Sequence, residues 1–283
     1  MCGAAAELLL SARLPELRFL VRRIAALLML LSLMLWSTHA AYALPAGLIS
    51  DWTGNGTAAD ATGTNNGAYT GSYVQGIGGQ QAFDITGPGS PVVSAPTTNL
   101  PVGTAARTVS VWVDTLAYTG NGPGAEYFEY GSQSVNGGAF SIGETTGGVF
   151  QFETTNYGFT AGAFSLNRWY YLALTQYSNG TEDFYVNGAL AATASIPSNT
   201  AAGSSMTIGG ITQSASGGLL SAYYVDAYVE NLHVYNVALT SSQISQDMMA
   251  TVPEPSLPLM LGLFGVFFAP MLVRRVSCAW SVD

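Results

Sequence analysis

The chain contains no lysine, so its eight basic residues are all arginine. Between Leu44 and Thr251 the only basic side chains that carry a permanent charge are Arg107 and Arg168, against thirteen Asp and Glu residues. A surface with this balance repels phosphate backbones, so no nucleic-acid partner is expected. An acidic surface rich in Ser and Thr suits a secreted protein and can collect divalent cations.

Cysteine is also scarce, because Cys2 and Cys278 are the only two and both lie in the terminal segments. The long middle part of the chain therefore has no disulfide and no thiolate zinc site. A domain of about 200 residues can bury a sufficient core without such cross-links. The sequence also lacks a phosphate-binding loop, a haem motif, a His-rich cluster and a G-x-S-x-G elbow.

Long apolar runs are absent from the middle and occur only near the two ends. At the N-terminus, Arg18, Arg22 and Arg23 precede the apolar run Ile24–Trp36, and small residues follow near Ala43. This order is typical of a secretory signal peptide, predicted here over residues 1–43. Thirteen helical residues span about 20 Å, short of a hydrocarbon core of about 30 Å. An uncleaved anchor is the alternative.

The C-terminal run covers residues 257–273 and would span about 26 Å as a helix. Pro258 lies in its first turn, where proline is tolerated, and Pro270 would kink it near the end. Arg274 and Arg275 follow, and such positive flanks stay on the cytoplasmic side. We predict a membrane-spanning helix here, with a buried core helix as the alternative.

Pro253, Glu254 and Pro255 precede that apolar run, and Arg274 and Arg275 close it. This order of a Pro-Glu-Pro triplet, an apolar span and two arginines resembles the PEP-CTERM sorting signal of Gram-negative bacteria. The tail that follows the arginines is longer than is usual for that signal. The resemblance implies that residues 251–283 form a temporary inner-membrane anchor, which an exosortase-type protease recognises and cuts. The middle of the chain would then be exported to the cell surface or the extracellular space.

Residues 44–250 show short alternating segments separated by Gly, Asn and Ser, which predicts an all-β sandwich. Val109, Val111 and Val113 alternate with polar or aromatic neighbours, and Leu172 and Leu174 are predicted to share one face of a second strand with Tyr170. Asn187-Gly188 stands between two β-rich runs, the strongest short signal for a hairpin. One short helix is predicted in "TSSQISQDM", where Thr240 and Gln243 fit a capping box.

Taken together, these segments resemble the laminin-G-like, concanavalin A-like jelly roll. The resemblance covers about residues 48–248 and rests on "GNGTAADATGTNNGAYTG" (54–71), "QQAFDITG" (80–87), "TVSVWV" (108–113), "RWYYLALT" (168–175), "FYVNG" (184–188), "TIGG" (207–210) and "VENLHVYNVALTSSQI" (229–244). It implies two antiparallel sheets in a sandwich. Folds of this kind host lectins, glycoside hydrolases and adhesion modules, so function must be argued from the site.

Catalytic signals are weak. Glu126 and Glu129 are three residues apart, so a regular strand would point them to opposite faces, whereas glycosidases need two carboxylates at one bond. Glu182-Asp183 is interpreted as a solvated turn. His233 is the only histidine between Leu44 and Thr251, and it is interpreted as pointing outward or lining an edge.

Two kinds of binding site remain as expectations. The family resemblance implies a structural calcium at Glu230, with Asp84 or Asp60 as a further ligand, since calcium prefers hard oxygen ligands. The alternative is that Glu230 pairs with a neighbouring backbone amide or with solvent. Tyr223 and Tyr224, in a Gly- and Ser-rich loop, are the candidate exposed aromatic pair for a sugar.

The sequence therefore predicts an exported, non-enzymatic binding module for carbohydrate or another extracellular polymer. A divergent glycoside hydrolase and a structural coat protein without a ligand pocket are the alternatives.

Overall fold

The computed structural model describes residues 19, 21–27, 43–86, 91–118, 124–203, 205–211 and 223–252. The chain divides into two compact units, Met1–Tyr42 and Ala43–Asp283. In the first unit residues 21–27 are helical and exposed. Within the described part of the chain, no helix combines the length and apolarity needed to cross a bilayer. Most of the predicted signal peptide and the sorting residues Pro253, Glu254, Pro255, Arg274 and Arg275 lie outside the described residues.

The second unit is a sandwich of two antiparallel sheets, as the sequence predicts. Its described residues form the strands β1 (Leu48–Trp52), β2 (Tyr73–Gln75), β3 (Gln81–Ile85), β4 (Val93–Ala95), β5 (Arg107–Ala117), β6 (Ala125–Gly131), β7 (Ala139–Glu144), β8 (Val149–Thr154), β9 (Tyr157–Ala163), β10 (Trp169–Gln176), β11 (Thr181–Val186), β12 (Ala189–Ser195), β13 (Met206–Ile208) and β14 (Asp226–Tyr235). The eight-stranded sheet has the order β12-β11-β10-β5-β14-β3-β2, with β1 paired to β14. The six-stranded sheet has the order β4-β13-β6-β7-β8-β9.

Alternation along the central strands builds the core between the sheets. Val109, Val111 and Val113 of β5 are fully buried there, and Leu172 and Leu174 of β10 lie beside them. Each such side chain contributes about 1.5 to 3 kcal/mol when it leaves water. The predicted faces of these two strands are therefore confirmed.

The predicted Asn187-Gly188 turn is also confirmed, since it joins β11 to β12. Asn187 has φ 51° and Gly188 has φ 78°. Positive φ at both positions is what a tight type I′ hairpin requires, and Asn and Gly are the residues that adopt it at low cost.

Helix α1 (Ser241–Ala250) covers the outer face of the eight-stranded sheet. Its predicted capping box is present, because Thr240 accepts a hydrogen bond from the Gln243 N–H and Gln243 accepts one from Thr240. Ile244 packs in a second apolar cluster that includes Trp112 and Tyr171. Both faces of the central strands are thus buried, which explains their nearly continuous apolar sequence.

A buried carboxylate on α1 fastens the helix to the sheet. Asp247 accepts hydrogen bonds from Ser110, Tyr171 and Tyr235 and lies 2.8 Å from Nδ1 of His233. Burial alone would raise the pKa of Asp247 and lower that of His233. Their mutual attraction and the surrounding hydrogen bonds reverse both effects, which lowers the pKa of Asp247 and raises that of His233 to about 10.

The interpretation of His233 as an outward or edge-lining residue was wrong, because its exposed fraction is 2%. The reason is that α1 lies over this part of β14. His233 also has Nε2 3.4 Å from Asp51 on β1. Ser110 donates to Asp247 and not to the imidazole, so these residues form a structural network and no nucleophile–base pair.

We expect Asp247→Asn to destabilise the fold by about 3 kcal/mol, because His233 and three hydroxyl donors lose the buried carboxylate that they contact. The measurement is urea denaturation followed by tryptophan fluorescence, with Asp183→Asn in the β11–β12 hairpin as the matched control.

The pH dependence of the same difference checks its cause. Since the pKa of His233 is raised, its contribution is lost as pH rises through about 10. Since the pKa of Asp247 is lowered, its contribution is lost as pH falls below the usual aspartate range. A difference in stability that does not change above about pH 10 or below the usual aspartate range would show that packing, and not charge, causes the destabilisation.

Candidate functional site

An irregularity in β6 determines which side chains face outward from the six-stranded sheet. The pairing of β6 with β7 shifts between Glu126 and Phe128, so Tyr127 is an extra residue in β6. Tyr127 and Phe128 both point into the core. Glu126 and Glu129 consequently lie on the same outer face. The prediction that they face opposite ways was wrong, because a β-bulge breaks the two-residue repeat.

Hydrogen bonds inside the sandwich anchor this bulge. The Tyr127 hydroxyl donates to Glu144 Oε2 at 2.5 Å and lies 2.5 Å from the Thr115 hydroxyl. Thr115 also donates to Glu144, at 3.0 Å. Tyr127 lies on β6 and Glu144 on β7 of one sheet, and Thr115 lies on β5 of the other. The network therefore joins the two sheets and keeps Tyr127 turned inward.

The outer face of the six-stranded sheet presents two transverse rows of side chains. The first row is Glu129, Ser141 and Glu153, on β6, β7 and β8. The second is Glu126, Gly143 and Gln151, on the same strands. In both rows the middle strand carries a small residue. Strands two places apart are separated by about 10 Å, so the long side chains of β6 and β8 meet above β7.

Gly143 is required for this arrangement. A Cβ at this position would overlap the Glu126 carboxylate and the carbonyl of Ala125. Glu126 thus lies in the space that a side chain on β7 would fill, and its exposed fraction is 0%. Neither of its carboxyl oxygens has a partner in good hydrogen-bonding geometry, although Glu153 and Ser141 lie beside it.

Burial raises the pKa of all three glutamates. Burial, reinforced by Glu153 and Glu129, raises the pKa of Glu126 well above its usual range. Burial raises the pKa of Glu129 to about 8, against a hydrogen bond from Gln133. Burial also raises the pKa of Glu153, which the neighbouring Glu126 partly offsets.

A cleft of about 640 Å³ opens above these rows. We call it the acidic cleft, and its lining includes Gln133, Gln151, Glu153, Tyr157, Thr160 and Tyr223. Side chains that donate and accept hydrogen bonds, and aromatic rings that include Tyr157 and Tyr223, therefore surround the Glu153 carboxyl group. This combination is suited to a polar ligand with flat apolar faces.

The two predicted sugar-binding tyrosines occupy different surroundings. Tyr223 is half-buried and lines the acidic cleft, and its carbonyl accepts a hydrogen bond from the Glu126 N–H. Tyr224 is also half-buried, and its ring lies over Gly210, where a Cβ would come within 3.0 Å of it. Tyr157, which the sequence analysis did not select, has an exposed fraction of 41% and lines the cleft.

Asp60, one of the predicted calcium ligands, organises its own loop. One carboxyl oxygen accepts from the backbone N–H of Asp51 and from the N–H and hydroxyl of Thr62, and the other accepts from the N–H of Asn65. Burial opposes ionisation, but these donors lower the pKa of Asp60 below its usual value. Its oxygens therefore already face hydrogen-bond donors.

Glu230 and Asp84 have separate partners as well. Glu230 accepts from the Ile77 N–H at 3.1 Å, and burial raises its pKa to about 7. Asp84 accepts from the hydroxyls of Ser72 and Thr86. Across the described ranges, no three His, Cys, Asp or Glu side chains are grouped so that they could hold a metal. Calcium binding by these residues stays a prediction.

The interpretation of Glu182 in a solvated turn was wrong, because Glu182 is buried within β11. The Ile196 N–H donates to its carboxyl group, and burial raises its pKa to about 7. Glu182 lies on the eight-stranded sheet and takes no part in the acidic cleft.

The sequence analysis also missed Glu153 and Gln151. The signal is present in "VFQFET", where Phe150 and Phe152 alternate with Gln151 and Glu153. This pattern predicts a strand with one polar face, but the partner strand that supplies the other carboxylates cannot be read from it.

Comparison with known proteins agrees with the fold. Residues 87–245 match the family described as the concanavalin A-like lectin/glucanases superfamily. None of the curated proteins is similar enough in sequence to count as a relative.

Solved structures with the same fold include domain 4 of AbnA, an extracellular GH43 arabinanase from Geobacillus stearothermophilus, in complex with arabinotriose. It is 19% identical, with a TM-score of 0.52, and the match covers 71% of this chain and 98% of that domain. The binding domain of Paraclostridial Mosquitocidal Protein 1 is 12% identical, with a TM-score of 0.56, over 71% of this chain and 52% of that one.

A structure of botulinum neurotoxin type C, whose cell entry depends on two ganglioside molecules, is 13% identical, with a TM-score of 0.54. The match covers 72% of this chain and 51% of that one, so the sandwich spans about half of each toxin domain.

We expect Tyr127→Phe to destabilise the protein by about 1 to 3 kcal/mol, because Glu144 loses a buried donor. Urea denaturation measures the loss, and Tyr157→Phe at the cleft rim is the control expected to stay within about 0.5 kcal/mol of the native protein. Equal effects of the two changes would contradict the role assigned to the internal network.

We expect Glu129→Gln to stabilise the protein above neutral pH. Because the folded pKa of about 8 exceeds the usual glutamate value of 4.5, native stability falls as pH rises between these values. The variant should match the native protein at about pH 4 and exceed it by about 2 to 4 kcal/mol at about pH 9. Denaturant titrations across this range measure the difference, and a pH-independent difference would contradict the assigned protonation.

Proposed function

This chain belongs to the concanavalin A-like lectin/glucanases superfamily, and we propose that it is a non-enzymatic module that binds carbohydrate in the acidic cleft. The observation that carries the proposal is the pair of rows on the six-stranded sheet. They leave a trough over Ser141 and Gly143 with polar side chains on both flanks. Sugars offer hydroxyls that can pair with such groups, and the rings of Tyr157 and Tyr223 can pack against the apolar faces of a pyranose.

The solved structures support this proposal at the level of the fold. Domain 4 of AbnA is seen in complex with arabinotriose, and type C neurotoxin depends on gangliosides for cell entry. Since a fold alone does not transfer function, the argument depends on the cleft of this chain.

Glycoside hydrolysis is the second candidate, because Glu126, Glu129 and Glu153 converge beneath one cleft. A hydrolase needs one protonated and one ionised carboxyl group, so its environment must push their pKa values apart. Here burial raises the pKa of all three. Hydrogen bonds from Gln133 to Glu129 and from Glu126 to Glu153 offset the effect of burial only in part, which favours binding over hydrolysis.

The cellular location is proposed from the sequence signals at the two ends. The basic and apolar N-terminal segment supports export. The Pro253, Glu254 and Pro255 triplet before an apolar run supports transient anchoring in the inner membrane and processing by an exosortase-type protease. The module would then act at the cell surface or in the extracellular polymer, where a coat protein without a ligand is the competing function.

A glycan array probed with the full-length chain tests carbohydrate binding. We expect Tyr223→Ala and Tyr157→Ala to weaken retention by about tenfold, since stacked aromatic rings contribute about 1 kcal/mol or more each. Tyr118→Ala is the matched control, because Tyr118 has an exposed fraction of 48% and does not line the cleft. Parallel arrays with EDTA test whether calcium takes part.

Retention unaffected by the cleft substitutions would place the sugar elsewhere and contradict the proposed site. No retention of any glycan would favour the coat protein. Release of shortened oligosaccharides from bound glycans, lost in Glu153→Gln, would favour the hydrolase.

A further inference from the structure

Among the described residues, no side chain that lines the acidic cleft could neutralise an acidic sugar. In the described part of the second unit, the basic side chains are Arg107, Arg168 and His233, and none lines the cleft. Arg107 is buried and donates to the carbonyls of Pro101 and Gly103. Arg168 lies over the ring of Tyr170, 5.3 Å from its centroid. A uronic or sialic acid carboxylate would therefore find neutral donors such as Gln133 and Gln151 but no positive charge, and it would lie beside the carboxyl group of Glu153.

Glu126 is a second, independent indication of the ligand's chemistry. It is fully buried below the cleft, and neither carboxyl oxygen has a donor in good geometry. A buried acceptor without a partner costs about 1 to 3 kcal/mol, and more when it carries a charge. A positive charge placed above Glu153 would recover part of this cost, because attraction is strong where water is excluded.

From this arrangement, and given that the proposed carbohydrate binding is correct, we infer that the acidic cleft selects glycans that carry unsubstituted amino sugars. The ammonium group of such a sugar has three donors and no acceptor. It would contact Glu153 at the cleft surface, with Glu126 and Glu129 supplying attraction from beneath. The amide and hydroxyl groups of Gln133, Gln151 and Thr160 would bind the neutral hydroxyls of the same sugar.

A bare metal cation fits the cleft less well. Calcium takes about 6 to 8 oxygen ligands, and the described side chains include no grouping suited to a metal. An ammonium group needs only three acceptors and is carried on a ring that the two tyrosines can support. The same geometry thus favours an organic cation over an inorganic one.

Binding of a cationic sugar is coupled to the protonation of the three glutamates. Burial raises the pKa of all three glutamates, while a bound cation favours their ionised form. Binding should therefore release protons. Affinity should rise with pH as long as the sugar amine itself stays protonated.

The test compares four soluble probes by isothermal titration calorimetry with the full-length chain. The probes are a β-1,4-glucosamine tetramer, its fully N-acetylated counterpart, a tetragalacturonate and spermine. We expect the glucosamine tetramer to bind about tenfold more tightly than the acetylated tetramer, equivalent to one good charge-assisted contact. The galacturonate and spermine should bind at least about tenfold more weakly than the glucosamine tetramer.

Glu153→Gln, which keeps the side-chain shape, should reduce the tenfold preference to less than about threefold. Glu182→Gln is the matched control, because Glu182 is a buried glutamate outside the cleft, and this variant should keep the preference. Titrations in two buffers of different ionisation enthalpy should show proton release by the native protein.

The outcomes separate the two proposals. If the acetylated tetramer or the galacturonate binds as tightly as the glucosamine tetramer, the amino-sugar inference is wrong and carbohydrate binding stands. Spermine binding with equal affinity, or an equal loss in Glu182→Gln, would show general attraction to an acidic protein and overturn the inference. If no sugar binds here and none is retained on the array, carbohydrate binding itself is wrong.

Discussion

The inward turn of Tyr127 is the constraint on which the acidic cleft depends. Its hydroxyl reaches Glu144 and Thr115 inside the sandwich, and this contact makes Tyr127 an extra residue in β6. Without the bulge, Glu126 and Glu129 would lie on opposite faces, and one of them would have to enter the apolar core. The internal network thus stabilises the contact between the two sheets and also determines which carboxyl groups lie on the outer face. One polar contact in the core thereby places Glu126 and Glu129 on the same outer face as Glu153, whose strand lies about 10 Å from β6 across a row of small residues.

The outer faces of the two sheets differ in how they are covered and in how their buried carboxyl groups are compensated. The eight-stranded sheet is covered by α1, and the buried charge of Asp247 is compensated by His233 and by three hydroxyl donors. The described part of the six-stranded sheet has no helix over it, and the pKa values of its buried glutamates are raised. The covered sheet thus satisfies its buried carboxylate internally, whereas burial of the glutamates on the other sheet is compensated less fully.

The fold was predictable because its signals are local. Alternation in β5 and β10, the Asn187-Gly188 turn and the Thr240 capping box each involve neighbouring residues, and all are confirmed. The site was less predictable because it depends on pairing between strands. The position of Glu153 opposite Ser141, and of Ser141 opposite Glu129, follows from the register of three strands. His233 was misplaced for the same reason, since the helix that buries it follows the strand and folds back over it.

Burial without compensation also bears on the choice between binding and catalysis. Catalytic carboxyl pairs work because one member is stabilised as an anion by nearby donors or cations. In the acidic cleft the donors are neutral, and the two arginines in the described part of the second unit contact other groups, Arg107 backbone carbonyls and Arg168 an aromatic ring. The three glutamates hence have no internal source of positive charge. The proposed binding of a sugar requires no separation of these pKa values, whereas hydrolysis does.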